Sequence, residues 1–296
     1  MNVRAITDAD LETVAELAAT DEAALLGRPS QIGSADIRGW MRRVDMENDT
    51  WLYEEGGRLV AAAWLEQADD LGVFVGIVAR GAKGRGLGRT VAEAGEQRAR
   101  DRGATRLHAV TLEPDTAAGE LFARRGYAAV RRFYEMAIEL EAAPDAPPLG
   151  DGFALDVFRT EDAKPFYDTL EASFQDHWEH HSIGFERWWE EKQRNGFDPT
   201  LWFLVRAGGE VAGAIQNEAG RNGGGYVATL GVVRAWRGKG IARALLLHTF
   251  AEFYARGVPR VTLGVDAENP TGATKLYESV GMVRDGAAVV YEKALT

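Results

Sequence analysis

Apolar and polar positions along the chain follow the same succession of patterns twice. The segments TWLYEEGGRLVAAAWLEQ (50–67) and LWFLVRAGGEVAGAIQNE (201–218) each show two apolar strands joined across a Gly-Gly pair. A third apolar run follows, LGVFVGIVAR or GYVATLGVVR, and then a glycine-rich turn and a long helical pattern. In the second of these helices Ala242, Leu246, Phe250 and Phe253 share one helical face. The pattern predicts hairpin, strand and helix in the same order in both halves.

A nearly constant offset relates the two halves. Gly86 and Gly240 lie 154 positions apart, and Thr7 and Thr160 lie 153 apart. A period of this length indicates duplication of a whole domain, because solenoid units are far shorter. We predict one domain over 1–140, a Pro- and Gly-rich linker over 141–152 and a second domain over 153–296. Each domain alternates strands with helices, which predicts a mixed α/β fold whose first helices are capped by Thr7 and Thr160.

Composition narrows the classes of function. The chain has 296 residues, 46% of them hydrophobic, no cysteine and a net charge of −11. Disulfides, thiolate zinc sites and a cysteine nucleophile are therefore excluded. No apolar run is long enough to cross a bilayer, and the N-terminus lacks the layout of a secretion signal, so we expect a cytoplasmic protein without a membrane partner. No basic stripe indicates a nucleic-acid partner, and the acidic surface weakly favours cationic small molecules.

Both glycine-rich turns follow an apolar strand and open a helix. Such a turn presents free backbone N–H groups and the positive end of the helix dipole, which together bind phosphate. The turns fit neither a P-loop nor the dinucleotide-binding fingerprint. A plain helix start with packing glycines is the alternative, but two copies in matching contexts favour anion binding. The residues concerned are Arg237, Gly238, Lys239, Gly240, Ile241 and Ala242 in the second half and Lys83, Gly84, Arg85, Gly86, Leu87 and Gly88 in the first.

The second turn resembles motif A, [QR]-x-x-G-x-[GA], of the GCN5-related N-acetyltransferase (GNAT) superfamily, and the first departs from it only by Lys83. The doubled layout is similar to that of the tandem members related to mycothiol synthase. The resemblance implies two tandem GNAT domains, each a mixed, mostly antiparallel sheet flanked by helices. It implies acetyl-CoA or another acyl-CoA as co-substrate, no metal, diphosphate binding by the turn amides, and binding of pantetheine and the thioester carbonyl by Leu230, Val232 and Val233.

The resemblance also implies that Tyr277 lies near the sulfur of coenzyme A as a general acid and that Asn269 contacts coenzyme A. Alternatively, Tyr277 is a half-buried core aromatic and Asn269 caps a helix. The first half has Phe122 and Pro114 in the corresponding places, and phenylalanine cannot donate a proton. We therefore expect the first half to be non-catalytic or degenerate and the second half to be catalytic.

The general base is less defined by the sequence. Tyr226 stands where the tandem relatives are expected to carry a glutamate, so that role does not transfer. Glu218 and His177 are the candidates. His177 belongs to the segment 173–189, in the region that usually lines the acceptor site of GNAT domains. This segment also allows a zinc site, a cage for a cationic amine, or simply a polar, aromatic-rich loop. The residues concerned are Asp176, Trp178, His180, His181, Trp188 and Trp189.

Three functions remain open from the sequence. The first is an N-acetyltransferase that moves an acetyl group from acetyl-CoA to a primary amine of a small molecule by direct attack. The second is a non-catalytic acyl-CoA-binding or sensing protein, because a fold alone does not establish activity. In the third, both halves act on different acceptors, and Gly86→Glu and Gly240→Glu each abolish a separate activity. We expect a monomer or a homodimer.

Overall fold

The computed structural model describes residues 1–145, 149–175, 177–179, 182–194, 197–269 and 271–295. The elements of the first half are β1 (Asn2–Arg4), α1 (Leu11–Leu26), α2 (Ser34–Trp40), β2 (Thr50–Glu55), β3 (Arg58–Ala68), β4 (Leu71–Val78), α3 (Leu87–Asp101), β5 (Arg106–Leu112), α4 (Thr116–Arg124) and β6 (Ala128–Glu139). Those of the second half are β7 (Phe153–Val157), α5 (Ala163–Phe174), α6 (Phe185–Arg194), β8 (Phe203–Ala207), β9 (Glu210–Arg221), β10 (Gly224–Val232), α7 (Ile241–Ala255), β11 (Arg260–Asp266), α8 (Ala273–Ser279) and β12 (Val283–Ala294). The element order is the same, so the predicted duplication is confirmed.

The predicted helix signals are largely confirmed. Leu246, Phe250 and Phe253 of α7 are buried, as their helical spacing predicted. Thr7 caps the short 3₁₀ turn before α1, closed by its N–H donating to Asp10. The prediction for Thr160 is wrong by one residue, because Arg159 occupies the capping position ahead of α5.

All twelve strands form a single sheet in the order β1-β2-β3-β4-β5-β12-β6-β11-β10-β9-β8-β7. Among the described strands, only β4 with β5 and β10 with β11 pair in parallel. The other neighbours, within the described residues, are antiparallel. The predicted mixed, mostly antiparallel sheet is therefore confirmed, but the two halves share it rather than each closing its own.

The centre of the sheet is an exchange of last strands between the halves. Strand β6 of the first half lies between β11 and β12 of the second, and β12 lies between β6 and β5 of the first. The pairings are long, with seven residue pairs between β6 and β11 and seven between β12 and β5. Each half is thus completed by a strand from the other.

The parallel pairs open the sheet at two equivalent places. Strands β4 and β5 pair only over the first four residues of β4, and β10 pairs with β11 only at Gly225 and Tyr226. Beyond these points the strands diverge, which leaves a gap in each half. In the second half a β-bulge at Ala228 lies at the start of this divergence, because Val227 pairs with Asn217 but Thr229 with Gln216. A bulge of this kind bends a strand and redirects its side chains.

Helices cover both faces of the sheet. In β3, Ala61, Ala63 and Leu65 pack in one core cluster with residues of α3 and α4, whereas Ala62 and Trp64 pack in another with α1 and α2. This alternation follows from the two-residue period of a strand. The strand pairings place Glu135 of β6, Gly264 of β11 and Tyr226 of β10 on the same face of the sheet as α1 and α2.

Candidate active site

A cavity of about 600 Å³ lies in the second half where β10 and β11 diverge. Its walls come from the glycine-rich turn, the start of α7, β10, β11, α8 and the end of α5. Ten predicted site residues line it: His177, Leu230, Val232, Arg237, Gly238, Gly240, Ile241, Ala242, Asn269 and Tyr277. The structure therefore brings together most of the residues that the sequence singled out in this half.

The backbone of the turn has the conformation that an anion-binding helix start requires. Gly238 and Gly240 adopt left-handed φ values of 76° and 79°, and Gly84 and Gly86 of the first half adopt 79° and 87°. Side chains are disfavoured there, which explains the glycines. Gly240 precedes the first residue of α7, so the N–H groups of the first helical turn lack partners within the helix.

Arg237 stabilises the turn through its side chain. Its Nε donates to the carbonyl of Val232 at 3.1 Å, and its Nη2 donates to the carbonyl of Ser173 at 3.3 Å. The guanidinium therefore ties the turn to β10 and α5 while leaving its positive charge beside the cavity. Lys239 is exposed and does not line the cavity.

The end of β10 provides part of the predicted pantetheine contacts. Leu230 and Val232 line the cavity, but Val233 does not. The N–H of Val233 donates to the carbonyl of Ala212 at 3.0 Å, so its amide is already used within the sheet. The expectation that Val233 donates to pantetheine therefore does not fit its position.

Tyr277 extends from α8 into this cavity and is only 8% exposed. Burial raises the pKa of its hydroxyl to about 12, and the nearby Tyr226 adds to the effect. The side chain therefore keeps its proton at neutral pH and can donate it. Asn269 also lines the cavity, where its Oδ1 accepts from the N–H of Thr271 at 2.8 Å and shapes the turn before α8.

The two candidate bases lie in different surroundings. His177 lines the cavity, and the centroid of its ring lies 4.3 Å from the centroid of the Phe174 ring. Glu218 does not line it and instead faces Arg221 at 3.4 Å and Arg42 at 3.8 Å. Of the two, only His177 is placed where an acceptor amine can reach it.

The three tryptophans of the segment 173–189 are used for packing. Trp178 stacks on His108 of the first half, and Trp188 and Trp189 belong to an aromatic cluster around Phe158. Asp176, His180 and His181 lie outside the described residues.

Three possible metal ligands converge beneath Trp178. The ligand atoms of His108, Glu179 and Glu292 lie within 4.8 Å of one another. Arg106 donates to Glu179 at 2.8 Å and to Glu292 at 3.2 Å, so an ion-pair network accounts for the cluster.

The first half contains a larger cavity of about 960 Å³ at the equivalent place. Lys83, Gly84, Gly86 and Gly88 line it, whereas Leu87 packs in the core and Arg85 pairs with Glu55 at the surface. Phe122 lines this cavity, at the position that the sequence aligns with Tyr277.

The charge at the first turn differs from that at the second. Lys83 Nζ lies 2.7 Å from Asp21 and 3.1 Å from Asp115, and both carboxylates line the cavity. Burial opposes the charge of Lys83, but its two acidic partners raise its pKa overall. Among the described residues of the second cavity, the only carboxylate is Asp266, which Arg131 holds at 2.6 Å. The second turn is therefore the better site for a diphosphate.

Sequence reasoning missed the first-half residues in the second site. Phe133 of β6 lines the second cavity, and Arg131 of the same strand holds Asp266 there. They arrive through the strand exchange. Pairing between strands so distant along the chain leaves no local pattern that would have revealed it.

Fold and site together define the class of this protein. The Acetyltransferase (GNAT) family matches the chain twice, over residues 15–127 and 163–282. The chain belongs to this family and is an acyltransferase with two tandem GNAT regions. None of its described helices combines the length and the apolar character needed to cross a membrane.

The chain is also similar to individual acetyltransferases and to solved structures of this family. The chain is 32% identical to a mycothiol acetyltransferase of Thermobispora bispora over an alignment of 253 positions that covers 82% of each chain. A solved GCN5-related N-acetyltransferase from Sphaerobacter thermophilus is 30% identical, with a TM-score of 0.87 over 99% of this chain and 95% of that one. A tandem GNAT protein from the clavulanic acid biosynthesis pathway shares the fold, with 19% identity and a TM-score of 0.72 over 100% of this chain and 98% of that one.

Proposed function

We propose that the second half transfers an acetyl group from acetyl-CoA to a primary amine of a small molecule. The observation that carries this proposal is the position of Tyr277, a buried tyrosine in the same cavity as the glycine-rich turn and the diverging end of β10. The Thermobispora bispora relative is named a mycothiol acetyltransferase, which supports a small-molecule acceptor.

The turn suits the diphosphate of coenzyme A. Backbone N–H groups at the start of α7 and the charges of Arg237 and Arg243, which both line the cavity, favour an anion there. No described carboxylate pairs with either side chain within 4.0 Å. The strand end at Leu230 and Val232 would then direct the acyl group towards Tyr277.

The reaction proceeds by direct attack, which suits a chain without cysteine. The acceptor loses a proton to His177 or solvent, and its nitrogen attacks the thioester carbonyl. The tetrahedral intermediate loses a second nitrogen proton to solvent, and its oxyanion re-forms the carbonyl as the C–S bond breaks. Tyr277 gives its proton to the departing thiolate and later regains one from solvent. The products are the amide and coenzyme A with a free thiol.

The first half does not catalyse this reaction in our proposal. Phe122 cannot donate a proton, and the carboxylates of Asp21 and Asp115 beside Lys83 disfavour a diphosphate at the first turn. The reading in which both halves are active is therefore less well supported than catalysis by the second half alone.

Replacement of Tyr277 by phenylalanine tests the proposal. We expect turnover to fall by about 10²- to 10⁴-fold, as for loss of a general acid, with unchanged acetyl-CoA affinity. Thiol release is measured against a panel of amines, and the absence of cysteine leaves no protein thiol in the assay. Tyr254→Phe is the matched control, because Tyr254 is 37% exposed and outside the cavity.

Two outcomes would contradict this function. If the wild-type chain binds acetyl-CoA but releases no thiol with any amine, the protein is a binding or sensing module. If Tyr277→Phe keeps full turnover, another group protonates the thiolate and the assignment of Tyr277 is wrong.

A further inference from the structure

Glu135 lies on the floor of the larger cavity, and the residue paired with it on each neighbouring strand is a glycine. It lies in register with Gly264 of β11 and with Gly286 of β12. All three residues line the cavity, and neither glycine has a close neighbour beyond the Tyr226 hydroxyl near Gly264. Side chains at those two positions would fill the space beside the carboxylate, because paired residues on adjacent strands lie about 4.5–5.5 Å apart.

The carboxylate of Glu135 has no cationic partner among the described residues. Its one hydrogen bond is long, 3.4 Å from Nδ2 of Asn222. Burial raises the pKa of Glu135, and the carboxylates of Glu22 and Asp285 raise it further. Arg28 and Arg260 lower it, but not enough to reverse the shift. A half-buried carboxylate without a counter-charge is costly, and a bound cation would remove that cost.

The two nearby arginines are occupied elsewhere. Arg28 donates to Asp285 at 2.6 Å, and Arg260 donates to Asp285 and to Glu139, each at 2.6 Å. Glu22 of α1, which also lines the cavity, accepts a hydrogen bond from Ser30. Arg221 also lines the cavity, but its guanidinium lies over the ring of Tyr226 and 3.4 Å from Glu218. Glu135, together with the charged groups that act on it, therefore carries a net negative charge.

This floor adjoins the catalytic cavity of the second half. Phe133 and Gly264 line both cavities. Tyr226 lines the larger cavity, and its hydroxyl contributes to the raised pKa of Tyr277 in the smaller one. The two cavities therefore meet at Phe133 and Gly264, and Gly264 is the residue paired with Glu135.

We propose that Glu135 binds a second cationic group of the acceptor, remote from the amine that is acetylated, so that the preferred acceptors are diamines or polyamines. The inference rests on the proposed function, because it identifies the acceptor of the same site. It also gives the first half a part in substrate binding, since Glu135 belongs to β6.

The test compares α,ω-diamines of increasing length with n-alkylamines of the same length as acceptors of acetyl-CoA. The wild-type protein should show a KM at least about 10-fold lower for a diamine of suitable length, as expected for one charge-assisted contact. Glu135→Gln should remove this preference, with kcat for monoamines and the KM of acetyl-CoA unchanged. Glu135→Asp should keep part of it.

Glu120→Gln is the matched control, because it removes the same charge from a side chain that is 67% exposed on α4. It should keep the diamine preference. Glu135→Gln should also keep or raise the melting temperature, because it removes an unpaired charge, whereas loss of a structural contact would lower it.

Calorimetry with the preferred diamine separates this inference from the proposed function. Diamine binding that depends on Glu135, without thiol release, would retain the cation site and reject the acetyltransferase activity. Turnover with equal preference for diamines and monoamines, or a preference unchanged in Glu135→Gln, would overturn the cation site alone.

Discussion

Burial gives Tyr277 the property that a proton donor needs. An ordinary tyrosine is half ionised at about pH 10, whereas burial raises the pKa of Tyr277 to about 12. We therefore expect kcat to rise with pH as the acceptor amine loses its proton and to show no decline up to about pH 10. A pH–rate profile checks this expectation. A decline of kcat between pH 8 and 10, with the protein still folded, would contradict it.

Gly240 is required for its backbone conformation, since a Cβ would meet no neighbour within 4 Å. Gly240→Ala should cost about 1–2 kcal/mol of stability, because a φ of 79° is unfavourable for alanine. It should also weaken acetyl-CoA binding by distorting the turn. Stability is measured by urea denaturation and affinity by calorimetry.

Gly57 provides the matched control for that variant. It lies in the β2–β3 hairpin with a φ of 77° and no neighbour within 4 Å of an added Cβ. Gly57→Ala should lose similar stability and keep its acetyl-CoA affinity. Equal loss of affinity in both variants would mean that general destabilisation, and not the turn, weakens binding.

At the scale of elements, Glu96 connects α3 of the first half to the exchanged strand β12. Its buried carboxylate lies 2.8 Å from Arg125 Nε and 2.7 Å from Lys293 Nζ. Burial alone would raise the pKa of Glu96, but the hydrogen bonds from Arg125 and Lys293 outweigh it and lower the pKa.

Glu96→Gln should therefore lower the free energy of unfolding by about 2 kcal/mol at neutral pH. A carboxyl with a lowered pKa stabilises the fold above its unfolded pKa of about 4.3, and this stabilisation is lost as the pH falls through the folded pKa. The difference between wild type and variant should shrink below about pH 4 in denaturation measurements.

Glu93→Gln is the control for Glu96→Gln. Glu93 also pairs with Arg125, at 2.8 Å, but its side chain is 54% exposed. Its replacement should change stability by less than about 1 kcal/mol. A loss equal to that of Glu96→Gln would show that burial of the carboxylate is unimportant.

The elements that the sequence predicted are those whose signals are local. The turn at Gly240 and the buried face of α7 follow from spacing within a few residues. Phe133 could not be assigned to the second site, because β6 reaches it by pairing with β11, more than a hundred residues away. Glu218 is a candidate base only because it lies near the site in sequence. Its side chain lies 3.8 Å from Arg42 of the first half instead of lining the cavity.

On the scale of the whole molecule, the shared sheet predicts one cooperative unit. Removing either half would leave long strand edges in the other without partners. We expect a single unfolding transition by circular dichroism and by tryptophan fluorescence, with coincident midpoints. Two separate transitions would show that the halves fold independently.

Expression of the halves as separate chains tests the same point. Residues 153–296 alone should be unfolded or aggregated and inactive, because β11 and β12 lose β6 between them. Co-expression with residues 1–140 should restore acetyl-CoA-dependent thiol release. An active, monomeric second half would refute the dependence on β6.

The strand exchange bears on how such a chain can evolve. After duplication, a copy that lost its proton donor would ordinarily drift or be deleted without harm. Here deletion would remove the strand that carries Phe133 into the working site. On the mechanism that we propose, the first half is therefore retained for the wall that it contributes to the second cavity, even without a proton donor of its own.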